Sequence, residues 1–211
     1  MIPTEEFRDK VCDFLSMDES MFDYRLEELR SQKQTDLWKR WGGGTVEETV
    51  AELLYILADY SQPKLILEAG TNWGYSVSHL ILGIKTQNCK IYTIESSEQN
   101  YEKGKEELEK RKLYNKVNHI LGDSAKEFER IAKDKVVDFC FIDSSHTYDH
   151  TKKEFNAIKE SLRKESLVCF HDAVAPRYGV KKFIDELSDD TYLKLILPTQ
   201  PNTGFAIVKL R

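Results

Sequence analysis

Apolar residues recur at three- and four-residue spacing near the start of the chain. Val11, Phe14 and Leu15, then Met21, Phe22, Leu26 and Leu29, stand among charges, a period that predicts amphipathic helices. This part runs out at Trp38-Lys39-Arg40-Trp41-Gly42-Gly43-Gly44. Consecutive glycines predict a joint between a helical extension, residues 1–44, and the rest of the chain, residues 45–211. Thr45-Val46-Glu47-Glu48 has the form of a capping box and predicts a helix through Leu53, Leu54 and Leu57.

From residue 64 the pattern changes. Apolar runs rich in β-branched residues at 64–68, 90–95, 117–122, 136–143 and 166–172 alternate with amphipathic stretches at 74–82, 98–112, 124–132, 148–162 and 178–187. Nearly continuous apolar strands joined by helices predict an α/β fold, a parallel sheet covered on both faces. Residues 193–197 and 205–210 are strands with too little chain between them for a crossover helix, so they predict an antiparallel hairpin. The sum is a doubly wound, mostly parallel sheet of about seven strands.

Composition narrows the class. The hydrophobic share of 40% and the charged share of 32% fit a globular chain. The formal charge of −5 argues against a nucleic-acid partner, which needs a basic face. Residues 1–10 lack the apolar stretch of a signal peptide, and no apolar run approaches the ~18 residues of a membrane span. No membrane association and a cytoplasmic location are the resulting expectations. Cys12, Cys89, Cys140 and Cys169 form no CxxC pair, and Cys140 and Cys169 read as buried thiols.

The first strand runs into Gly70-Thr71-Asn72-Trp73-Gly74 and a helix start. Gly70 permits a sharp turn, and Gly74 a close approach of backbone to ligand or strand. A dinucleotide fingerprint would place a glycine where Asn72 stands, so that a pyrophosphate could approach. An amino-acid-tailed nucleoside has no such need. Glu95 ends the second strand, where an acid accepts hydrogen bonds from ribose hydroxyls. Gly122-Asp123-Ser124 ends the third strand, with Asp123 or Ser124 either capping the next helix or edging an adenine.

Glu68-Ala69-Gly70-Thr71-Asn72-Trp73-Gly74-Tyr75-Ser76, Ile94-Glu95, Gly122-Asp123-Ser124 and Phe141-Ile142-Asp143-Ser144-Ser145-His146-Thr147-Tyr148 occur together in order and spacing. In this the chain resembles class I S-adenosylmethionine (SAM)-dependent methyltransferases, and most nearly the small-molecule O-methyltransferases whose fourth strand ends in Asp-x-x-His-x-Tyr. The resemblance covers residues 45–211. It implies a Rossmann-like sheet of order 3-2-1-4-5-7-6 with the last strand antiparallel. It implies SAM contacts from Glu68, Ala69, Gly70, Thr71, Asn72, Gly74, Tyr75, Ser76, Glu95, Ser96, Gly122, Asp123, Ser124 and Asp143.

In that strand order Asp143 and Asp172 end neighbouring strands and can approach one divalent ion, Mg²⁺ or another, with His171 as a third ligand. His171 beside Asp172 suits Mn²⁺ or Zn²⁺ as readily as Mg²⁺. Asp143 has a second reading, in which it positions the amino group of SAM. His146, three residues on, is the candidate base for an acceptor hydroxyl, against a surface histidine bonded to Asp149 or Asp172. His150 reads as solvated.

The expected activity is O-methylation of a small hydroxylated metabolite or sugar by direct in-line transfer. A SAM- or nucleoside-binding module without chemistry and an NAD-linked oxidoreductase are the alternatives. The N-terminal helices, with Trp38 and Trp41, suit a lid over the acceptor, a homodimer contact or plain packing.

Overall fold

The computed structural model describes residues 5–33, 45–199 and 202–211. The glycine joint and both tryptophans beside it lie outside the described residues. The helices are α1 (Glu5–Leu15), α2 (Glu19–Gln32), α3 (Glu48–Ser61), α4 (Tyr75–Gly83), α5 (Glu98–Lys110), α6 (Ser124–Ala132), α7 (Tyr148–Ile158) and α8 (Val180–Glu186). The strands are β1 (Leu65–Ala69), β2 (Lys90–Glu95), β3 (Asn118–Leu121), β4 (Phe139–Ile142), β5 (Leu167–His171), β6 (Tyr192–Leu197) and β7 (Phe205–Leu210).

These strands form one sheet of order β3-β2-β1-β4-β5-β7-β6. Five are parallel, and β7 runs antiparallel to both β5 and β6. The expected architecture is therefore the observed one.

Side-chain alternation divides the core. Ile66, Phe139, Phe141, Cys169 and Ile207 face α1 to α5; Leu67, Cys140, Ile142, Val168 and Val208 face α6 to α8. Cys140 and Cys169 lie on opposite faces, both buried and free, and burial pushes both thiols well above their usual range.

The N-terminal helices share this core. Val11, Phe22 and Leu29 are buried in the same cluster as Ile66 and Phe141. The Arg30 guanidinium grips Glu52 of α3 at 2.7 and 2.9 Å, and Lys209 of β7 donates to the Phe14 carbonyl at 3.0 Å. No helix among the described residues is long and apolar enough to cross a membrane.

The start of α3 departs from expectation. Glu47 is its N-cap, but no side chain caps the helix. Glu47 is instead drawn away to β5 and the β6–β7 connection, a pull that local sequence does not carry.

Candidate active site

The carboxyl ends of β1 to β5 open onto a cleft of about 900 Å³, where a doubly wound sheet places its ligands. At one end Gly70 takes φ +93°, and a Cβ there would lie 2.1 Å from the Asp143 carbonyl oxygen. Only glycine lets the β1 and β4 turns meet. Asn72 adopts φ +46° and donates its backbone N–H to Glu95 Oε2 at 2.8 Å. Ser97 N–H donates to Glu95 Oε1 at 2.9 Å. Two bonds fix this buried carboxylate on the cleft wall and leave lone pairs for further donors.

Asp123 caps α6, accepting the Lys126 N–H at 2.9 Å, and also lines the cleft. Ser124 donates to Glu154, which is fully buried on α7 and also takes the Ser144 hydroxyl at 2.7 Å. His150 Nε2 lies 3.2 Å from the same Glu154 oxygen, and that carboxylate holds the imidazole pKa above its ordinary value. His150 is thus a member of the wall, not a solvated side chain.

Of the residues expected to hold the cofactor, Gly70, Asn72, Glu95, Ser96, Gly122, Asp123, Ser124 and Asp143 line the cleft. Glu68, Ala69, Thr71, Gly74, Tyr75 and Ser76 lie behind the wall. Glu68 is fully buried with its Oε1 unpaired, its Oε2 accepting from Thr93. Burial pushes its pKa up to about 8. Thr71 meets Thr93. Gly74 makes room for Leu108, whose Cγ a Cβ would approach to 3.0 Å. The Tyr75 hydroxyl turns to Glu48 of α3.

The other end carries the titratable cluster. Asp143 follows β4 directly, and His171 ends β5. His146 and Asp172 both adopt left-handed backbone, φ +56° and +57°, which is costly for such residues. The turn at Asp172 swings its carboxylate towards the side that His171 faces, so Nδ1 of His171 lies 3.4 Å from Asp172 Oδ2. His146 Nδ1 lies 3.2 Å from Asp172 Oδ2 and 3.7 Å from Asp143 Oδ1.

His171 is committed on both ring nitrogens. Nε2 lies 2.8 Å from Glu47 Oε2, and Nδ1 lies 3.1 Å from Asp143 Oδ1. Burial opposes charging this imidazole, yet the surrounding carboxylates, Asp143 foremost, push its pKa up to about 12. Both ring nitrogens thus face carboxylates. The side chains grouped to receive a cation are Asp143, His146 and Asp172, with one ligand atom from each within 4.8 Å of the others. The set expected from sequence, Asp143, His171 and Asp172, also stands together, so His146 joins His171 beside the two aspartates. Asp172 Oδ1 is buried without a partner, so the cluster holds an unsatisfied acceptor and fits a cation.

Residues 67–173 match a protein family described as a methyltransferase domain. The chain belongs to that family. Its fold is also that of solved methyltransferases. An O-methyltransferase from Bacillus cereus, in complex with S-adenosylhomocysteine (SAH), is 18% identical, with 97% of this chain and 96% of that one covered at a TM-score of 0.69. A putative caffeoyl-CoA O-methyltransferase from Staphylococcus aureus is 23% identical over 90% and 99%, at 0.70. An SAH-bound methyltransferase from Podospora anserina is 18% identical over 100% and 98%, at 0.67.

The methyltransferase site includes groups that the sequence did not single out. Glu47 and Thr203 close the cleft beside His171, with the Thr203 hydroxyl donating to Glu47. They lie far apart along the chain and carry no local signal. Arg177 and Tyr178, on the β5–α8 connection, complete the wall near His146.

Proposed function

We propose that this methyltransferase transfers a methyl group from SAM to a hydroxyl of a small acceptor. The observation that carries the reading is the His146–Asp172 pair, at the end of the cleft away from Glu95. His146 Nδ1 lies 3.2 Å from Asp172 Oδ2, and a proton held on Nδ1 towards that carboxylate would leave Nε2 as the lone-pair nitrogen. The same relationship orients the bases of many proton-transfer sites.

SAM supplies a methyl group already activated on a sulfonium, so the protein's task is placement more than activation. Glu95 receives the ribose hydroxyls, and the Gly70–Asn72 turn leaves room for the amino-acid tail. His146 removes the hydroxyl proton at Nε2 as the acceptor oxygen attacks the methyl carbon in line, the methyl–sulfur bond breaks and SAH leaves with the electron pair. Asp172 steadies the imidazolium that forms. Cys140 and Cys169 take no part, since both are buried within the sheet.

A second reading rests on the unpaired Asp172 Oδ1. Asp143, His146 and Asp172 would then hold a divalent ion, which lowers the pKa of a hydroxyl placed beside it. The test is SAH release from SAM with a panel of hydroxylated acceptors, with and without EDTA. Turnover insensitive to EDTA supports His146 as the base, turnover abolished by EDTA supports the ion, and no turnover across the panel counts against O-methylation. The chain is further proposed to act on a small metabolite and not on nucleic acid, in keeping with its net charge of −5.

A further inference from the structure

Charges on the cleft wall are almost all spent within the protein. Glu95 accepts two backbone N–H groups, Glu47 holds His171 and Thr203, and Asp123 caps α6. Asp143 and Asp172 face the imidazoles of His146 and His171. Arg177 differs. It is the one lysine or arginine among the described lining residues, and it is exposed. Among the described residues it makes no hydrogen bond or ion pair, and its guanidinium carbon lies 4.6 Å from the centroid of the Tyr178 ring.

The loop that carries Arg177 is pinned on both sides. Tyr178 N–H donates to Ala175 O at 3.1 Å, and Gly179 N–H donates to His146 O at 2.8 Å. A Cβ on Gly179 would fall 2.1 Å from the Tyr148 nitrogen, so the loop lies tight against the start of α7. Tyr178 in turn packs on the His146 ring at 4.8 Å and 38°. Guanidinium, phenol and imidazole thus form one ladder, with the cation a single ring away from the candidate base.

We infer that Arg177 is an acceptor-specificity residue, and that the acceptor carries an anionic group, carboxylate or phosphate, about one ring's breadth from the hydroxyl that is methylated. This rests on the methyl-transfer reading of the cleft. A planar guanidinium pairs with either anion through two parallel N–H bonds. Stacking on Tyr178 restrains its direction, so little freedom is lost when the anion arrives.

The test uses the SAH-loaded protein and two matched pairs of probes, 3,4-dihydroxybenzoate against 3,4-dihydroxybenzamide and glucose 6-phosphate against glucose. Calorimetry should show the charged member of at least one pair binding ten-fold or more tightly. The pair that responds tells carboxylate from phosphate. Arg177→Gln should abolish that preference, and Arg177→Lys should keep part of it, with SAH affinity unchanged in both. Absence of any preference in the unaltered protein, or a preference that survives Arg177→Gln, would overturn the inference. So would a ten-fold loss of SAH affinity in Arg177→Gln, which would assign the guanidinium to the cofactor's own carboxylate. SAH is titrated first, so failure of the methyltransferase reading is seen separately.

Discussion

His146 and Asp172 meet at 3.2 Å, each held in left-handed backbone just beyond the end of its strand. Two such turns in contact store strain at one point of the cleft, and strain of this kind persists where surrounding structure over-determines it. The Gly179–His146 backbone bond and the ion pairs of His171 supply that restraint.

Removal of the imidazole should therefore be felt in turnover and not in cofactor binding. His146→Ala is expected to lower kcat by about 10²–10⁴-fold, the usual worth of a positioned base. SAH affinity, measured by calorimetry, should stay within about two-fold. Equal loss in both would assign His146 to cofactor binding.

Asp172→Asn separates the two readings of the acidic cluster. If Asp143, His146 and Asp172 hold a divalent ion, titration with Mn²⁺ should show saturable binding that falls at least about ten-fold in this variant. If His146 acts as the base, the same variant lowers kcat while the unaltered protein shows no saturable Mn²⁺ site.

Gly70→Ala should damage the cofactor end. The new Cβ meets the Asp143 carbonyl at 2.1 Å, and φ +93° disfavours any side chain. Loss of more than about 2 kcal/mol in denaturant unfolding is expected, together with weaker SAH binding. Unchanged stability would show that the β1 and β4 turns part easily.

Much of this was legible in the sequence, for a physical reason. Apolar runs such as β1 and β5 are buried on both faces, so they advertise themselves without alternation, and the short link between β6 and β7 dictates an antiparallel pair. Asp143 and His146 are close in sequence and were found together. Glu47, Thr203 and Arg177 were not, because each reaches the cleft through contacts made only when distant elements meet. Glu68 and Tyr75 sit in a cofactor-like segment yet point behind the wall. Glu68 is turned by its bond from Thr93 of β2 and Tyr75 by its bond to Glu48 of α3, partners that the motif does not carry.

Glu68 makes stability depend on pH. Burial raises its folded pKa to about 8 from an ordinary 4.5, so between these values the folded protein binds more protons than the unfolded chain. The resulting stabilisation is complete below about pH 4.5 and is lost as pH rises through about 8, with a slope of up to ~1.4 kcal/mol per pH unit. Glu68→Gln carries no such proton and should flatten chemical-denaturation stability across this window. Parallel slopes for the two proteins would contradict it.

The most direct test of the central claim is calorimetric titration of the purified protein with SAH, with NAD⁺ as control. The account predicts SAH binding near the micromolar range, about −8 kcal/mol, at one site per chain, with NAD⁺ silent. A well-folded protein that ignores SAH, or that binds NAD⁺ equally well, would contradict it.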